Sequence, residues 1–228
     1  MESLSLLANN LANAATSGYK SDSEFYGLYT SPDGDSSGEG STLPNIERQW
    51  TDFSQGTLQP TGNPLDVALS GPGFLTVAGP GGNLFTRNGN LHVSPTGDLV
   101  TGEGFTVKGV GGGAIHLTSG ASVEIAADGT VRQGGRTAGQ LAVVNFKSTN
   151  SLKKMSGTCF ENTDSKNPPV AAGDVQVQQG KLESSNVAVP EAAMRLVGVM
   201  RQFEMLQKAV SLGVEMDSKS IQEVARVG

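Results

Sequence analysis

Apolar positions along this chain follow three different periods. Near the N-terminus Leu4, Leu7, Leu11 and Ala14 recur at steps of three and four, the spacing of one face of an α-helix. Gly18 follows Thr16 and Ser17, and glycine reaches the left-handed backbone that closes a helix. The pattern therefore predicts a short amphipathic helix within residues 1–18. From Ser31 to Ser41 there is no apolar residue, and a segment with nothing to bury does not offset the entropy of ordering. It reads as a mobile loop inside an extended linker over 19–62.

Between residues 63 and 187 the period falls to two. Val67 and Leu69 flank Ala68, Leu91 and Val93 flank His92, and Val175 and Val177 alternate with Gln176 and Gln178. Gly71-Pro72-Gly73, Gly79-Pro80-Gly81-Gly82, Pro95-Thr96-Gly97 and Asp128-Gly129 punctuate these short runs. Alternation with turn chemistry at short intervals predicts an all-β domain, an irregular sandwich or barrel. No helical stretch interrupts it, which argues against a parallel βαβ sheet.

The last fifth changes period again. Val189, Ala193, Leu196, Met200, Phe203, Gln207, Val210, Val214, Asp217, Ile221 and Val224 are spaced alternately four and three, and nine of the eleven are apolar. That is a heptad seam over five repeats, and Pro190 suits the first turn of the helix that carries it. Val199 and Leu206 widen the stripe enough for more than one neighbour. A helix of about 35 residues is about 50 Å long, too long for the N-terminal helix to cover. Burying the nine apolar side chains is worth on the order of 10–20 kcal/mol before ordering costs. The expectation is a mainly β protein whose N- and C-terminal helices (1–18 and 188–228) form a separate coiled-coil-like region that associates with other copies. A helix folded back on its own β-domain is the plainer alternative from periodicity alone.

Composition narrows the function classes. The net charge is −6 over 228 residues, which opposes nucleic-acid binding, since that needs a basic surface to displace phosphate counterions. No segment approaches the roughly 20 apolar residues of a membrane span, so direct membrane insertion is not expected. Met1–Asn10 has no basic, long-apolar signal-peptide pattern. The single cysteine, Cys159, offers no intramolecular disulfide or Cys-based zinc site and reads as a small core residue. His92 and His116 stand in strand patterns without a ligand at metal spacing. Gly109-Val110-Gly111-Gly112-Gly113-Ala114 matches a dinucleotide fingerprint in letters. Strand-like Ile115-His116-Leu117-Thr118 follows where that motif needs a helix N-terminus. No catalytic, cofactor or metal site is expected.

Three ordered motifs resemble one family. Ala8-Asn9-Asn10-Leu11-Ala12-Asn13 with Thr16-Ser17-Gly18-Tyr19-Lys20 is similar to the N-terminal signature of flagellar rod and hook proteins. Gly71–Val77, Phe85-Thr86-Arg87-Asn88-Gly89-Asn90-Leu91 and Gly97-Asp98-Leu99-Val100 resemble its middle. Gln179-Gly180-Lys181-Leu182-Glu183-Ser184-Ser185-Asn186-Val187 resembles the stretch that leads into its C-terminal helix. Arg201-Gln202-Phe203-Glu204-Met205 is closer to the proximal-rod branch than to distal-rod or hook members, which tend toward Arg-x-Tyr-Glu. In the family the N-terminal helix continues upstream of Ala-Asn-Asn-Leu-Ala-Asn; here Met1–Leu7 precede it, a shorter start expected to weaken export and packing.

The resemblance implies a structural subunit, not an enzyme, that leaves the cell through the flagellar export apparatus without a cleaved signal peptide. It implies assembly with copies of itself and homologous rod subunits into a periplasmic basal-body rod that transmits torque. The implied assembly residues are Leu4, Leu7, Leu11, Leu196, Met200, Phe203, Val210, Val214, Ile221 and Val224. The motif residues are Ala8–Asn13, Gly18, Tyr19, Lys20, Leu182, Glu183, Ser185, Asn186 and Val187. Distal rod or hook protein is the alternative within the family. A secreted β-rich adhesin or carbohydrate-binding module is the alternative outside it, and would need an aromatic platform from Trp50, Tyr19, Tyr26 or Tyr29.

Overall fold

The computed structural model describes the backbone of residues 2–30, 42–118 and 120–227, and their side chains except at 2, 25–30, 42–48, 217 and 220–227. The expected loop at 31–41 lies outside the described residues. The chain forms two compact units, a helical one of residues 1–12 and 187–228 and a β unit of residues 13–186.

The β unit opens with β1 (Asp22–Thr30) and β2 (Thr42–Thr51), followed by β3 (Leu58–Pro60), β4 (Val67–Ser70), β5 (Phe74–Gly79), β6 (Gly82–Thr86) and β7 (Leu91–Val93). Next come β8 (Leu99–Thr101), β9 (Thr106–Val107), β10 (Val123–Ile125), β11 (Thr130–Gln133), β12 (Arg136–Gln140) and β13 (Val143–Asn145). The last are β14 (Leu152–Ser156), β15 (Cys159–Asn162), β16 (Val170–Ala171), β17 (Gln176–Gln179) and β18 (Lys181–Glu183). Nine of these strands make the largest sheet, ordered β14-β15-β6-β5-β9-β8-β7, with β13 bridging β5 to β16. Separate small sheets pair β1 with β2, β10 through β12, β17 with β4, and β18 with β3. The protein is mainly β with a helix at each end, and its sheets do not close into a barrel.

Successive side chains of a strand leave opposite faces, and here both faces are covered. On β5, Phe74 enters an aromatic cluster with Phe85, Phe146, Leu152 and Phe160, whereas Leu75 and Val77 enter an aliphatic core with Val67, Leu69, Leu99, Ile115 and Leu141. On β6, Leu84 and Phe85 divide in the same way. That is why Phe74–Val77 and Leu84–Thr86 read as unbroken buried runs. Cys159 sits 1% exposed in the aliphatic core.

Two expectations need correction. The segment 19–62 is not a plain extended linker. β1 and β2 pair antiparallel from Asp22↔Thr51 to Thr30↔Thr42, because both runs are rich in β-formers. Beyond them Phe53 packs edge-on against Phe74 and Phe160, with centroids 5.5 and 5.0 Å apart. Nor does the N-terminal helix reach Gly18: α1 spans Glu2–Ala12. Turn bonds from Thr16 N–H to the Asn13 carbonyl (3.0 Å) and Tyr19 N–H to the Thr16 carbonyl (3.3 Å) follow it. The chain leaves the helix early because Asn13 and Thr16 bond each other, Thr16 Oγ1 donating to Asn13 Oδ1 at 3.2 Å, and such side chains compete with helical hydrogen bonds.

In the helical unit α1 packs on α2 (Val189–Val227), a single helix of 39 residues. Leu4, Leu7 and Leu11 are half-buried. On α2, the described residues withdrawn from solvent are Ala192, Ala193, Leu196 and Val199, all within its first three turns. From Met200 to Met216 every residue is exposed, including Met200, Phe203, Leu206, Val210 and Val214. The seam residues Ile221 and Val224 continue the helix, but their side chains lie outside the described ones. No helix among the described residues is long and apolar enough to cross a membrane.

Phe160 lies edge-on to Phe53 and Phe74 in the aromatic cluster and is fully buried. Truncation to Ala removes its edge-on contacts and leaves a cavity, so Phe160→Ala is expected to cost about 3–5 kcal/mol in urea unfolding, with an unchanged far-ultraviolet spectrum at zero denaturant.

Candidate functional site

Of the four buried charged residues among those described, Lys20, Arg87 and Glu183 gather at one place in the β unit, and they come from the three sequence motifs, while Asp66 is held separately by the Asn63 and Asn90 amides. Glu183, at the end of β18, is 0% exposed and Lys20 is 0% exposed. Lys20 Nζ donates to Glu183 Oε1 at 2.5 Å and to the Ser54 carbonyl at 2.6 Å. The backbone N–H of Gly56 donates to the same Oε1 at 3.0 Å. Arg87, just after β6, donates through one terminal nitrogen to Glu183 Oε2 at 3.2 Å and through the other to the Gly71 carbonyl at 2.8 Å. Its guanidinium lies 5.3 Å from the Phe74 ring centroid, a cation–π distance.

One carboxylate thus serves two cations. A buried ion pair is worth little against an apolar replacement, but removing one member strands a charge that has lost its water. Burial lowers the Lys20 pKa, against the Glu183 carboxylate, which raises it. Burial also lowers that of Arg87, again opposed by Glu183. The cluster therefore fixes register: it forms only when the N-terminal, middle and C-terminal motifs meet in one arrangement.

Backbone contacts close the same junction. Gly18 N–H donates to the Glu183 carbonyl at 2.7 Å. Its φ is +70°, and a Cβ there would collide with the Asn88 backbone, so both conformation and space require glycine. Asn186 Oδ1 accepts from Ser21 N–H at 2.8 Å while its amide donates to the Asp52 carbonyl at 2.8 Å and to Ser54 Oγ at 3.1 Å. Tyr19 is buried, with Lys154 Nζ 4.2 Å above its ring. That ammonium donates to Asp22 at 2.6 Å and to the Lys20 carbonyl at 2.8 Å. Burial, then the nearby Asp22 carboxylate, push the Tyr19 phenol up to about 12.

Of the motif residues, the structure brings together Gly18, Tyr19, Lys20, Glu183 and Asn186. Leu182 pairs with Gln59 beside them, and Ser185 is half-buried between Glu183 and Asn186. Ala8, Asn9, Asn10, Leu11 and Ala12 belong to α1, where Asn10 is buried and Leu11 half-buried. Asn13 begins the β unit and Val187 the return to the helical one. Sequence reasoning did not single out Arg87, Ser54, Gly56 or Lys154. A charged Arg87 two positions after the apolar pair Leu84-Phe85 was the available signal for the first, while the others act through backbone groups or an exposed-looking strand. The assembly residues lie on α1 and α2.

Among the described residues no three His, Cys, Asp or Glu side chains are placed to hold a metal ion. His92 is exposed, and His116 is exposed with Nδ1 3.2 Å from Asp98 Oδ1. Burial, then the neighbouring Glu103 carboxylate, push the Cys159 thiol up to about 12, which keeps it from the thiolate form that a nucleophile needs.

Glu183→Gln leaves two buried cations and is expected to cost about 3–5 kcal/mol in urea unfolding. Lys20→Met keeps the Arg87–Glu183 pair and is expected to cost less; the reverse order would contradict the shared-carboxylate description. Alkaline titration gives a second check. Cys159 and Tyr19 ionise near 9.0 and 10.0 when unfolded but near 12 when folded, so the folded chain holds more protons. Their contribution is fully present below those ordinary values and is lost as pH rises toward about 12. Tyr19→Phe is expected to flatten the fall above pH 10 in unfolding midpoints; Lys20, whose pKa is lowered from 10.5, acts in the opposite sense.

Two family profiles match the chain: the flagellar hook protein FlgE/F/G D1 domain over residues 68–133 and the flagellar basal body rod FlgEFG protein C-terminal over residues 178–223. The first runs through the sheet that carries Arg87, and the second through Glu183 and most of α2. The flagellar basal-body rod protein FlgF of Caulobacter vibrioides is 30% identical, covering 98% of this chain and 92% of its own length. FlgF of Salmonella typhimurium is 33% identical over 94% of this chain and 89% of its own length. The basal-body rod protein FlgG of Bacillus subtilis is 29% identical over 93% and 90%. With two curated relatives at or above 30% identity over nearly the whole chain, and both family profiles in order along it, this chain belongs to the FlgE/F/G family of flagellar hook and basal-body rod proteins.

Proposed function

We propose that this chain is a structural subunit of the flagellar basal-body rod, joined through its terminal helices to copies of itself and to homologous rod subunits. The observation that carries the reading is the apolar stripe of α2. Met200, Phe203, Val210 and Val214 stand 46–67% exposed on a helix that carries one family signature. Monomeric proteins rarely leave so continuous an apolar surface in water, and a heptad seam is completed by another helix. Leu4, Leu7, Leu11 and Leu196 begin the same seam between α1 and α2, and Ile221 and Val224 extend it.

The β unit then serves as the outer wall, an irregular sandwich whose doubly covered sheet resists shear, and it carries no enzymatic role. Export by the flagellar apparatus brings the subunit to the periplasm, and the rod it joins transmits torque. Arg201-Gln202-Phe203-Glu204-Met205 favours the proximal segment of the rod, although relatives called FlgF and FlgG are about equally similar overall.

The test is genetic and structural. In a strain deleted for the gene, isolated basal bodies are expected to lack a complete rod, and cells are expected not to swim. Restoring the full chain with Phe203→Gln and Val210→Gln is expected to leave both defects in place while the purified variant keeps the wild-type unfolding midpoint of its β unit. Normal rods in the deletion strain would remove the reading.

A further inference from the structure

A groove of about 660 Å³ runs in the β unit between the Asp22–Thr51 end of the β1–β2 pair and β14, the outermost strand of the large sheet. Its apolar lining is Trp50, Phe53 and Leu152. Phe53 and Leu152 belong to the aromatic cluster, so the core fixes that part of the surface. Trp50 is different. It is the only tryptophan of the chain and stands 51% exposed, set by its pairing with Ser23 on β1. An indole of that size in water is an apolar plate with a single polar handle.

The rest of the lining is polar. Gln49, Thr149 and Asn150 bring amide and hydroxyl groups to it, with Gln49 and Asn150 exposed. Asp22 and Lys154 neutralise each other at 2.6 Å. Lys153 is left over, exposed and in no ion pair among the described residues. Glu161, its register partner on β15, does not line the groove. The groove is therefore cationic by one charge on a chain of net charge −6.

We propose that this groove binds an anionic glycan, a chain of N-acetylated amino sugars carrying carboxylates. The C–H face of a pyranose ring is flat and apolar and covers an indole. Its hydroxyl and acetamido groups project from the ring edge, where amide and hydroxyl side chains meet them. One exposed aromatic plate with a few convergent polar groups is the chemistry of a small-ligand site, and the volume lies within the roughly 300–1,000 Å³ such sites span. A carboxylate on the sugar supplies the partner that Lys153 lacks. A partner helix would need a stripe of several apolar side chains to dock against, and Trp50 is the one exposed apolar residue in the lining. The site is built from the β unit alone, so it does not depend on how α2 is covered.

The experiment titrates the purified full-length chain and reads the emission of its single tryptophan, which lies in the groove itself. The probes are a soluble tetrasaccharide of alternating N-acetylglucosamine and N-acetylmuramic acid, chitotetraose, and maltotetraose. A saturable blue shift with the first is expected, about fivefold weaker binding with the uncharged second, as the loss of one exposed ion pair gives, and no shift with the third. Lys153→Gln is expected to lower affinity for the anionic tetrasaccharide to that for chitotetraose and to leave chitotetraose unchanged. Trp50→Ala, followed by calorimetry, is expected to lose both amino-sugar ligands by at least about tenfold, and Trp50→Phe to recover most of that loss. Both variants are expected to keep the wild-type far-ultraviolet spectrum. No response to either amino-sugar probe, or an equal response to maltotetraose, would overturn the proposal. A response to a polyproline decapeptide with none to the sugars would assign the groove to a protein ligand and overturn it too. These titrations need no rod, so their failure leaves the deletion-strain result standing, and normal rods in that strain would leave the binding standing.

Discussion

The β unit depends on a single carboxylate held without water between two cations. Glu183 accepts Lys20 and the Gly56 N–H on one oxygen and Arg87 on the other, and none of the three side chains reaches solvent to an appreciable degree. Such a cluster adds little net stability beyond what apolar packing would give. Its effect is specificity: Lys20 lies 163 residues before Glu183 in the chain, and any arrangement that separates them leaves a buried charge uncompensated. Around it the Gly18–Glu183 backbone bond and the Asn186 bridges to Ser21 and Asp52 tie together both ends of the β unit.

This junction sits where the chain passes from β unit to helices, at residues 13–20 on the way in and 183–187 on the way out. Buried ionic and amide bonds are directional, so they resist a twist that an apolar contact, indifferent to rotation, would allow to slide.

The helical unit follows the opposite design. Past Met200, α2 has almost nothing of its own chain against it, and apolar side chains are left in water on both sides. A subunit of this kind is complete as a β unit but unfinished as a helix bundle, which is why we propose that neighbours in the rod supply the missing contacts.

Much of this was legible in the residues. Period two and turn glycines marked the β unit, and the seven-residue repeat marked α2, because alternation and heptads are local consequences of strand and helix geometry. The motif spellings around Gly18, Arg87 and Glu183 carried the family. What local pattern did not carry was the pairing of Asp22–Thr30 with Thr42–Thr51, the recruitment of Phe53 into the aromatic cluster, and the end of α1 at Ala12 in place of Gly18. Nor did it show that Lys20, Arg87 and Glu183 meet. Those are contacts between residues far apart along the chain, and a buried charge is tolerable only where folding delivers its partner. The sequence by itself determined the kind of each element; the tertiary structure alone decided which elements share a buried charge and which face is left for a neighbour.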